Sequence, residues 1–314
     1  MISVLVFALA AVAAVGAGLV CFTALMARRV ETACPPAGRF VELPGARLHV
    51  VERGQGPVLL LVHGLAGQLS HFTYGIVDQL AAHYRVVAVD RPGSGYSVRP
   101  AGASAALGAQ ADVLAALIER LELGRPVVVG HSLGGAVALA LAQRHPERVA
   151  GLALVAPLTH LIEDVPPVFK DLVIAQPWLR TLVAWTLAVP LGMAKRDAVL
   201  GAVFGPEAAP RDFATRGGGM LALRPSHFIA ACADLAAAHE DLPQMMQRYG
   251  TMQLPVSIVY GRSDRILDPQ AQGETLAAIL PGAQLLLLDG GHMLPITAPD
   301  RTAEFIRQAA ARTA

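Results

Sequence analysis

An α/β architecture, with a mostly parallel central sheet flanked by helices, is predicted by three observations. Continuous apolar runs at 58–62 and 127–129 read as buried strands, and 256–260 reads as a further strand. Helical patterns alternate with these runs, and that rhythm implies parallel strands covered by helices. Third, Gly130-His131-Ser132-Leu133-Gly134 joins an apolar strand to an alanine-rich helix, the strand–turn–helix setting of a nucleophile elbow. An inserted helical segment and an N-terminal apolar helix complete the predicted architecture.

The chain begins with a strongly apolar stretch. Ile2 to Ala27 carry no charge, and the first charged residues are Arg28 and Arg29. This length suffices to cross a hydrocarbon core as a helix with some tilt. A cleaved secretory signal would need a basic region before the apolar run, and none is present. A lipoprotein signal ending at Cys21 fits poorly because the bulky Val20 precedes that cysteine. The favoured reading is a retained single-pass anchor over residues 1–30. The Arg pair on its C-terminal flank places the following domain on the cytoplasmic side. Cys34-Pro35-Pro36-Ala37-Gly38 suggests a linker, residues 31–38.

The core is expected over 39–156 and 251–314. Phe40–Leu43 and Ala46–Glu52 flank Pro44-Gly45 and predict a β-hairpin. Val58–Val62 is the first buried strand. Ser70–Tyr84 reads as a helix and Arg85–Val89 as a strand. Ser104–Leu123 carries Leu107, Ala111, Leu114, Leu117, Ile118 and Leu121 on one helical face. Val127–Val129 leads into the elbow, and Val149–Val155 is the next strand. The alternation then stops. Residues 157–250 hold several prolines, Gly217-Gly218-Gly219 and helical fragments without clear strands, and read as a helical lid. The rhythm resumes with a strand at Val256–Tyr260, a helix at Pro269–Leu280, a strand at Gln284–Leu288 and a last helix at Ala298–Ala311.

Composition narrows the function classes. The net charge is +1, and no basic stripe points to a nucleic-acid partner. Cys21, Cys34 and Cys232 have no paired spacing and read as free thiols. The ten histidines form no His-Glu-x-x-His motif, so neither a metal nor a cofactor is expected. Mean hydropathy is +0.48, raised partly by the N-terminal run. Nothing in the sequence sets an oligomeric state.

Ligands of open parallel sheets bind beyond the carboxyl ends of the strands. The residues that follow the predicted strands are therefore the candidates: His63-Gly64-Leu65, Asp90-Arg91, Gly130–Gly134, Gly261–Asp264 and Asp289–His292. These motifs together resemble the α/β-hydrolase fold superfamily, in its serine-nucleophile, esterase- and lipase-like branch, from about residue 39 onward. The resemblance implies a triad in the chain order serine, acid, histidine. Here those are Ser132, Asp264 and His292. It also implies an oxyanion hole from the backbone N–H groups of Leu65 and Leu133.

Those roles have a chemical logic. A serine hydroxyl is a weak nucleophile until a base takes its proton. His292 would serve as that base and return the proton to the leaving alcohol. Asp264 would fix the imidazole tautomer. Asp268 and Asp289 are the rival acids; Asp268 also suits a helix cap before Pro269. His63 is read as shaping its turn, Asp90 as bracing its loop, and His131 as structural with its side chain directed elsewhere. A serine at the elbow argues against the dehalogenases and epoxide hydrolases of the superfamily, which use aspartate there. The implied activity is ester hydrolysis through an acyl-enzyme. Carbon–carbon hydrolysis, lactone or amide cleavage and perhydrolysis share the same triad, and a non-catalytic binding protein is the reading from a different class. Leu172–Met193 is largely apolar and, with the anchor, suggests a small-molecule or lipid-like ester as substrate.

Overall fold

The computed structural model describes residues 2–162 and 164–313. Helix α1 spans Ile2–Ala33 and carries one apolar segment long enough to cross a membrane, with none of that window buried against the rest of the chain. It runs three residues past the expected anchor end, and residues 31–38 are not a free spacer. Val30 and Cys34 are buried against Leu221, and Glu31 pairs with Arg224 at 3.0 Å. Apolar burial at the helix end explains why the helix continues to Ala33.

Eight strands follow: β1 (Arg39–Leu43), β2 (Ala46–Arg53), β3 (Val58–Val62), β4 (Arg85–Val89), β5 (Val127–His131), β6 (Gly151–Val155), β7 (Val256–Gly261) and β8 (Gln284–Leu288). Their order across the sheet is β1-β2-β4-β3-β5-β6-β7-β8. The β1–β2 and β2–β4 pairs are antiparallel, and every pair from β4 to β8 is parallel. The apolar runs that predicted central strands occupy β3, β5, β6 and β7, each covered on both faces.

Two cores account for that covering. On one face Leu60, Val62, Val128 and Leu154 pack beneath α4 (Leu107–Arg120) and α5 (Leu133–Arg144). The predicted stripe Leu107, Ala111, Leu114, Leu117 and Ile118 is buried there, while Leu121 is only partly covered. On the other face Leu59, Leu61, Val129 and Val155 pack beneath α2 (Ser70–Thr73), α3 (Val77–Ala81) and α11 (Pro299–Ala311). Burying a leucine or valine is worth about 1.5–3 kcal/mol, so these two layers supply most of the driving force.

Two predicted helices differ in detail. Ser70–Tyr84 is broken between α2 and α3 at Gly75. A Cβ on Gly75 would lie 2.9 Å from Pro299 Cβ, so the chain crosses close to the start of α11. Pro269–Leu280 opens with a π turn at Gln270–Glu274 before α9 (Thr275–Ile279). That wider turn directs Gln272 inward, where its Oε1 accepts from the Thr159 and His160 amides at 2.8 and 2.9 Å.

Between β6 and β7 the chain is helical. It forms α6 (Pro177–Thr186), α7 (Ala188–Phe204) and α8 (Pro225–Met246), with short 3₁₀ turns between them. This insertion lies over the carboxyl ends of β3 and β5. After β8, α10 (Leu294–Thr297) leads into α11.

Candidate active site

Strand β5 ends at His131 and α5 begins at Leu133, so Ser132 alone makes the turn. It adopts φ 54° and ψ −123°, a region that costs a non-glycine residue of order 1–3 kcal/mol. The surroundings hold it there. Its amide donates to Val155 O at 3.1 Å, and its carbonyl accepts from Gly135 and Leu158 at 2.8 and 2.9 Å. The flanking glycines are required by space. A Cβ on Gly130 would lie 2.6 Å from Gly134 O, and one on Gly134 would lie 2.1 Å from Val62 O. The elbow is therefore packed against the β3 loop as well as against its own helix.

That loop, His63-Gly64-Leu65, passes directly over the serine. A Cβ on Gly64 would sit 2.8 Å from Ser132 Cβ and 3.3 Å from its Oγ. Among the described residues, neither the Leu65 nor the Leu133 amide donates to a backbone or side-chain acceptor. Leu133 is the first residue of α5, where the helix dipole favours negative charge.

His63 shapes the loop, as its sequence position suggests. Its Nδ1–H donates to Gly64 O at 2.8 Å, and its Nε2 accepts from the Arg91 amide at 2.9 Å. Accepting at Nε2 requires a neutral ring, and burial and then the Arg91 charge hold its pKa well below the usual value. Arg91 is fully buried and reaches the same loop from below. Its guanidinium donates to His63 O and Gly64 O at 2.9 and 3.0 Å. Asp234, also fully buried, balances it at 2.6 Å. Asp90 braces its own loop, accepting from the Leu69 and Tyr96 amides at 2.7 and 2.9 Å and pairing with His49 at 2.8 Å.

The three candidate acids separate by geometry. Asp264 Oδ2 lies 2.7 Å from His292 Nδ1, and its Oδ1 accepts from the Ile266 and Leu267 amides at 2.8 and 3.0 Å. Its side chain is fully buried. Asp268 caps the following turn through Ala271 N at 2.8 Å. Asp289 is fully exposed and has only a 3.8 Å approach to Arg262. The structure thus brings Asp264, and neither rival, to His292.

With Nδ1 engaged by Asp264, His292 has Nε2 left for the cavity it shares with Ser132. Among the described residues no hydrogen bond joins Ser132 Oγ to His292; such bonds commonly tighten only with substrate in place. The loop that carries His292 is pinned from the helical insertion, where Glu207 Oε2 accepts from Gly291 N at 3.1 Å.

One expectation for His131 is corrected. Its side chain is not directed away from the site. The ring stacks at a tilt 5.0 Å from that of His292, and its Nε2 lies 3.1 Å from His292 O. The hydrogen bond to the His292 carbonyl ties the ring to the histidine loop. Two further histidines from outside the predicted set line the same cavity: His71 of α2 and His227 of α8. Each of these three rings is buried and has one ring nitrogen without a partner among the described residues. All stay neutral. Burial, then the neighbouring His227 and His292, pushes the His71 pKa down to about 3. His131 is held well below the usual value by burial and then His292, and His227 is lowered chiefly by burial. The only sequence signal for His71 and His227 is polarity within otherwise apolar helical patterns.

The cavity has a volume of about 880 Å³. Ser132, His292, Leu65 and the three histidines line it. Its walls are mostly apolar: Phe169, Leu200, Val203 and Phe204 from the insertion, and Met293 beside His292. Met26 and Arg29 of α1 also border it. Among the described residues no group of three or more His, Cys, Asp or Glu side chains is placed to hold a metal ion.

Comparison with known proteins agrees with this architecture. A family model for the alpha/beta hydrolase fold matches residues 57–299. The chain is similar to the magnesium-chelatase 30 kDa subunit of Rhodobacter capsulatus, with 31% identity over 257 residues covering 80% of this chain and 86% of that protein. It is 29% identical over 291 residues to an uncharacterised protein of Mycobacterium tuberculosis, covering 89% of this chain and 82% of the relative. Among solved structures, a bacterial membrane phospholipase A superposes with a TM-score of 0.64 at 23% identity, covering 99% of each chain. That likeness shows the fold, and it extends over the N-terminal helix. With its sheet order, its elbow and a family match over most of its length, the chain belongs to the alpha/beta hydrolase fold family.

Proposed function

We propose that this chain is a membrane-anchored serine hydrolase that cleaves carboxylic esters of lipophilic acyl chains. Membership of the alpha/beta hydrolase fold family supports a hydrolase. The observation that carries the finer reading is the buried Asp264–His292 pair beside a strained Ser132 in one apolar cavity.

The reaction follows from those groups. His292 Nε2 takes the Ser132 proton as Oγ attacks the ester carbonyl. The carbonyl oxygen gains negative charge and is held by the Leu65 and Leu133 amides; one such donor is typically worth about 10²–10³ in rate. The protonated His292, steadied by Asp264, gives its proton to the leaving alcohol. Water then repeats the sequence on the acyl-enzyme, releasing the acid and restoring Ser132. Helix α1 serves as a single-pass anchor, and Arg28 and Arg29 place the catalytic domain on the cytoplasmic side.

The apolar walls favour a long acyl chain over acetate. An ester series of rising chain length, assayed on the detergent-solubilised full chain, tests this. Rates should climb from acetyl toward octanoyl. A sharp preference for acetyl would contradict the reading. Adding a lactone and an amide of matched acyl group separates ester hydrolysis from the other acyl-transfer chemistries of the same triad.

A further inference from the structure

Helix α6 of the insertion carries an apolar face, Trp178, Leu182 and Trp185, that does not line the catalytic cavity. Trp178, Leu182 and Trp185 of α6 are 67%, 52% and 39% exposed. Their i, i+4, i+7 spacing puts them on one side of the helix. Leu187, Leu191 and Met193 continue the exposed apolar surface onto α7. The only charged residue of α6, Arg180, folds back onto the Ile174 and Ala175 carbonyls, with Nε 2.6 Å from the first.

Helix α1 fixes where this face lies. Thr23 and Val30 are its buried positions, and α6 packs against it. Val30 and Cys34 sit against Leu221, Glu31 pairs with Arg224, and Tyr96 donates its hydroxyl to Cys34 O. The domain is therefore docked on α1 between Thr23 and Cys34. About twenty residues cross a hydrocarbon core, and the uncharged run of α1 ends at Ala27. The docked segment thus lies at the boundary between acyl chains and water, and α6 is held at the same depth.

We infer that the Trp178–Leu182–Trp185 face of α6 and the adjoining surface of α7 are immersed in the lipid bilayer, so that the cavity opens toward lipid. The inference rests on the proposed membrane anchoring of α1. The occupant is a lipid surface, because the face is continuous with the spanning helix and carries tryptophan, the residue enriched at membrane interfaces. The cavity lining agrees: Met26 and Arg29 of α1 and Leu187 and Leu191 of α7 all border it. An amphiphilic ester would slide from the bilayer along α7 to Ser132 without its chain crossing water. Arg29 would meet its polar end at the headgroup level.

The chain holds two tryptophans, and both are on this face, so tryptophan emission, excited where the tyrosines do not absorb, reports on it alone. The full chain is reconstituted in phosphatidylcholine vesicles, with or without bromine on the acyl chains. Bromolipid should quench at least about half of the emission, and aqueous iodide should quench little. Efficient quenching by iodide and none by bromolipid overturns the inference. Protection from both quenchers also overturns it, because the face would then be covered by protein.

Leu182→Glu gives a second readout, since Leu182 is outside the cavity walls. Cleavage of a long-chain ester embedded in vesicles should fall about tenfold or more, the loss expected from exposing one buried leucine. Hydrolysis of a short, water-soluble ester should be unchanged. Equal rates on embedded ester for wild type and variant would overturn the inference while leaving the serine-hydrolase reading intact. Absence of any ester hydrolysis in the wild type would count against that reading instead, and the quenching experiment would still decide the inference.

Discussion

Asp264 accepts a 2.7 Å hydrogen bond from His292 Nδ1, and the carboxylate that does so is wholly inaccessible to water. Two backbone amides, from Ile266 and Leu267, hold its other oxygen. The carboxylate therefore has one orientation, and it imposes one tautomer on the imidazole. Asp264→Asn preserves shape but offers an amide N–H where the ring needs an acceptor. We expect kcat to fall about 10³–10⁴-fold, with KM nearly unchanged. Steady-state kinetics on a soluble ester checks this; a loss below tenfold would assign the acid role elsewhere.

Gly64 is the closest approach of the β3 loop to the nucleophile. A methyl group there would meet Ser132 Cβ at 2.8 Å, so one of the two must move. Gly64→Ala should fold, because the clash is confined to the loop, yet lose about 10²-fold in kcat through misplacement of the serine or of the Leu65 amide. Comparing thermal midpoint with kcat distinguishes this from simple unfolding.

Arg91 carries the loop from below, and Asp234 is the carboxylate that neutralises it. Asp234→Ala strands a buried guanidinium and should cost about 3–5 kcal/mol. The expected fall in thermal midpoint is roughly 6–10 °C. Activity should drop as well, since the carbonyls of His63 and Gly64 lose a fixed partner. An unchanged midpoint would show that the His63 and Gly64 carbonyls and Gln110 Oε1, which also accept from Arg91, suffice to hold its guanidinium without the carboxylate.

The placement of the candidate site was legible because each candidate follows a segment with a strand pattern, central for Ser132 and Asp264 and at the sheet edge for His292. Ser132, Asp264 and His292 are far apart in the chain, yet a parallel sheet brings all its carboxyl ends to one side. The choice among Asp264, Asp268 and Asp289 was less legible. It depends on which carboxylate is buried under the histidine loop, a matter of a few residues of turn geometry. Arg91–Asp234 and Glu207–Gly291 escaped because they link the core to the insertion, whose path has no short-range signal. His71 and His227 escaped for the same reason. Residues 31–34 read as part of a linker because prolines follow them, while the burial of Val30 and Cys34 depends on Leu221 and Tyr96 across the fold.

The neutral histidines make stability depend on pH. His63, His71, His131 and His227 all have folded-state pKa values below their ordinary 6.5, His71 down to about 3. Below pH 6.5 the unfolded chain then binds more protons than the folded one. Stability is therefore fully present above that pH and declines as pH falls toward the folded values. Each ring contributes a slope of up to about 1.4 kcal/mol per pH unit. Thermal midpoints at pH 7.5 and 5.5 should show a marked loss in the wild type and a smaller one in His71→Gln. Identical losses would mean that His71 can take up a proton without unfolding.

Ser132 as an activated nucleophile is open to direct test by covalent labelling. The full chain in detergent is treated with a fluorophosphonate probe and digested, and the modified peptide is identified by mass spectrometry. We expect stoichiometric modification at Ser132, its loss in Ser132→Ala, and slowing by at least about 10³-fold in His292→Ala. Failure of the wild type to label, or equal labelling of Ser132→Ala, would contradict that expectation.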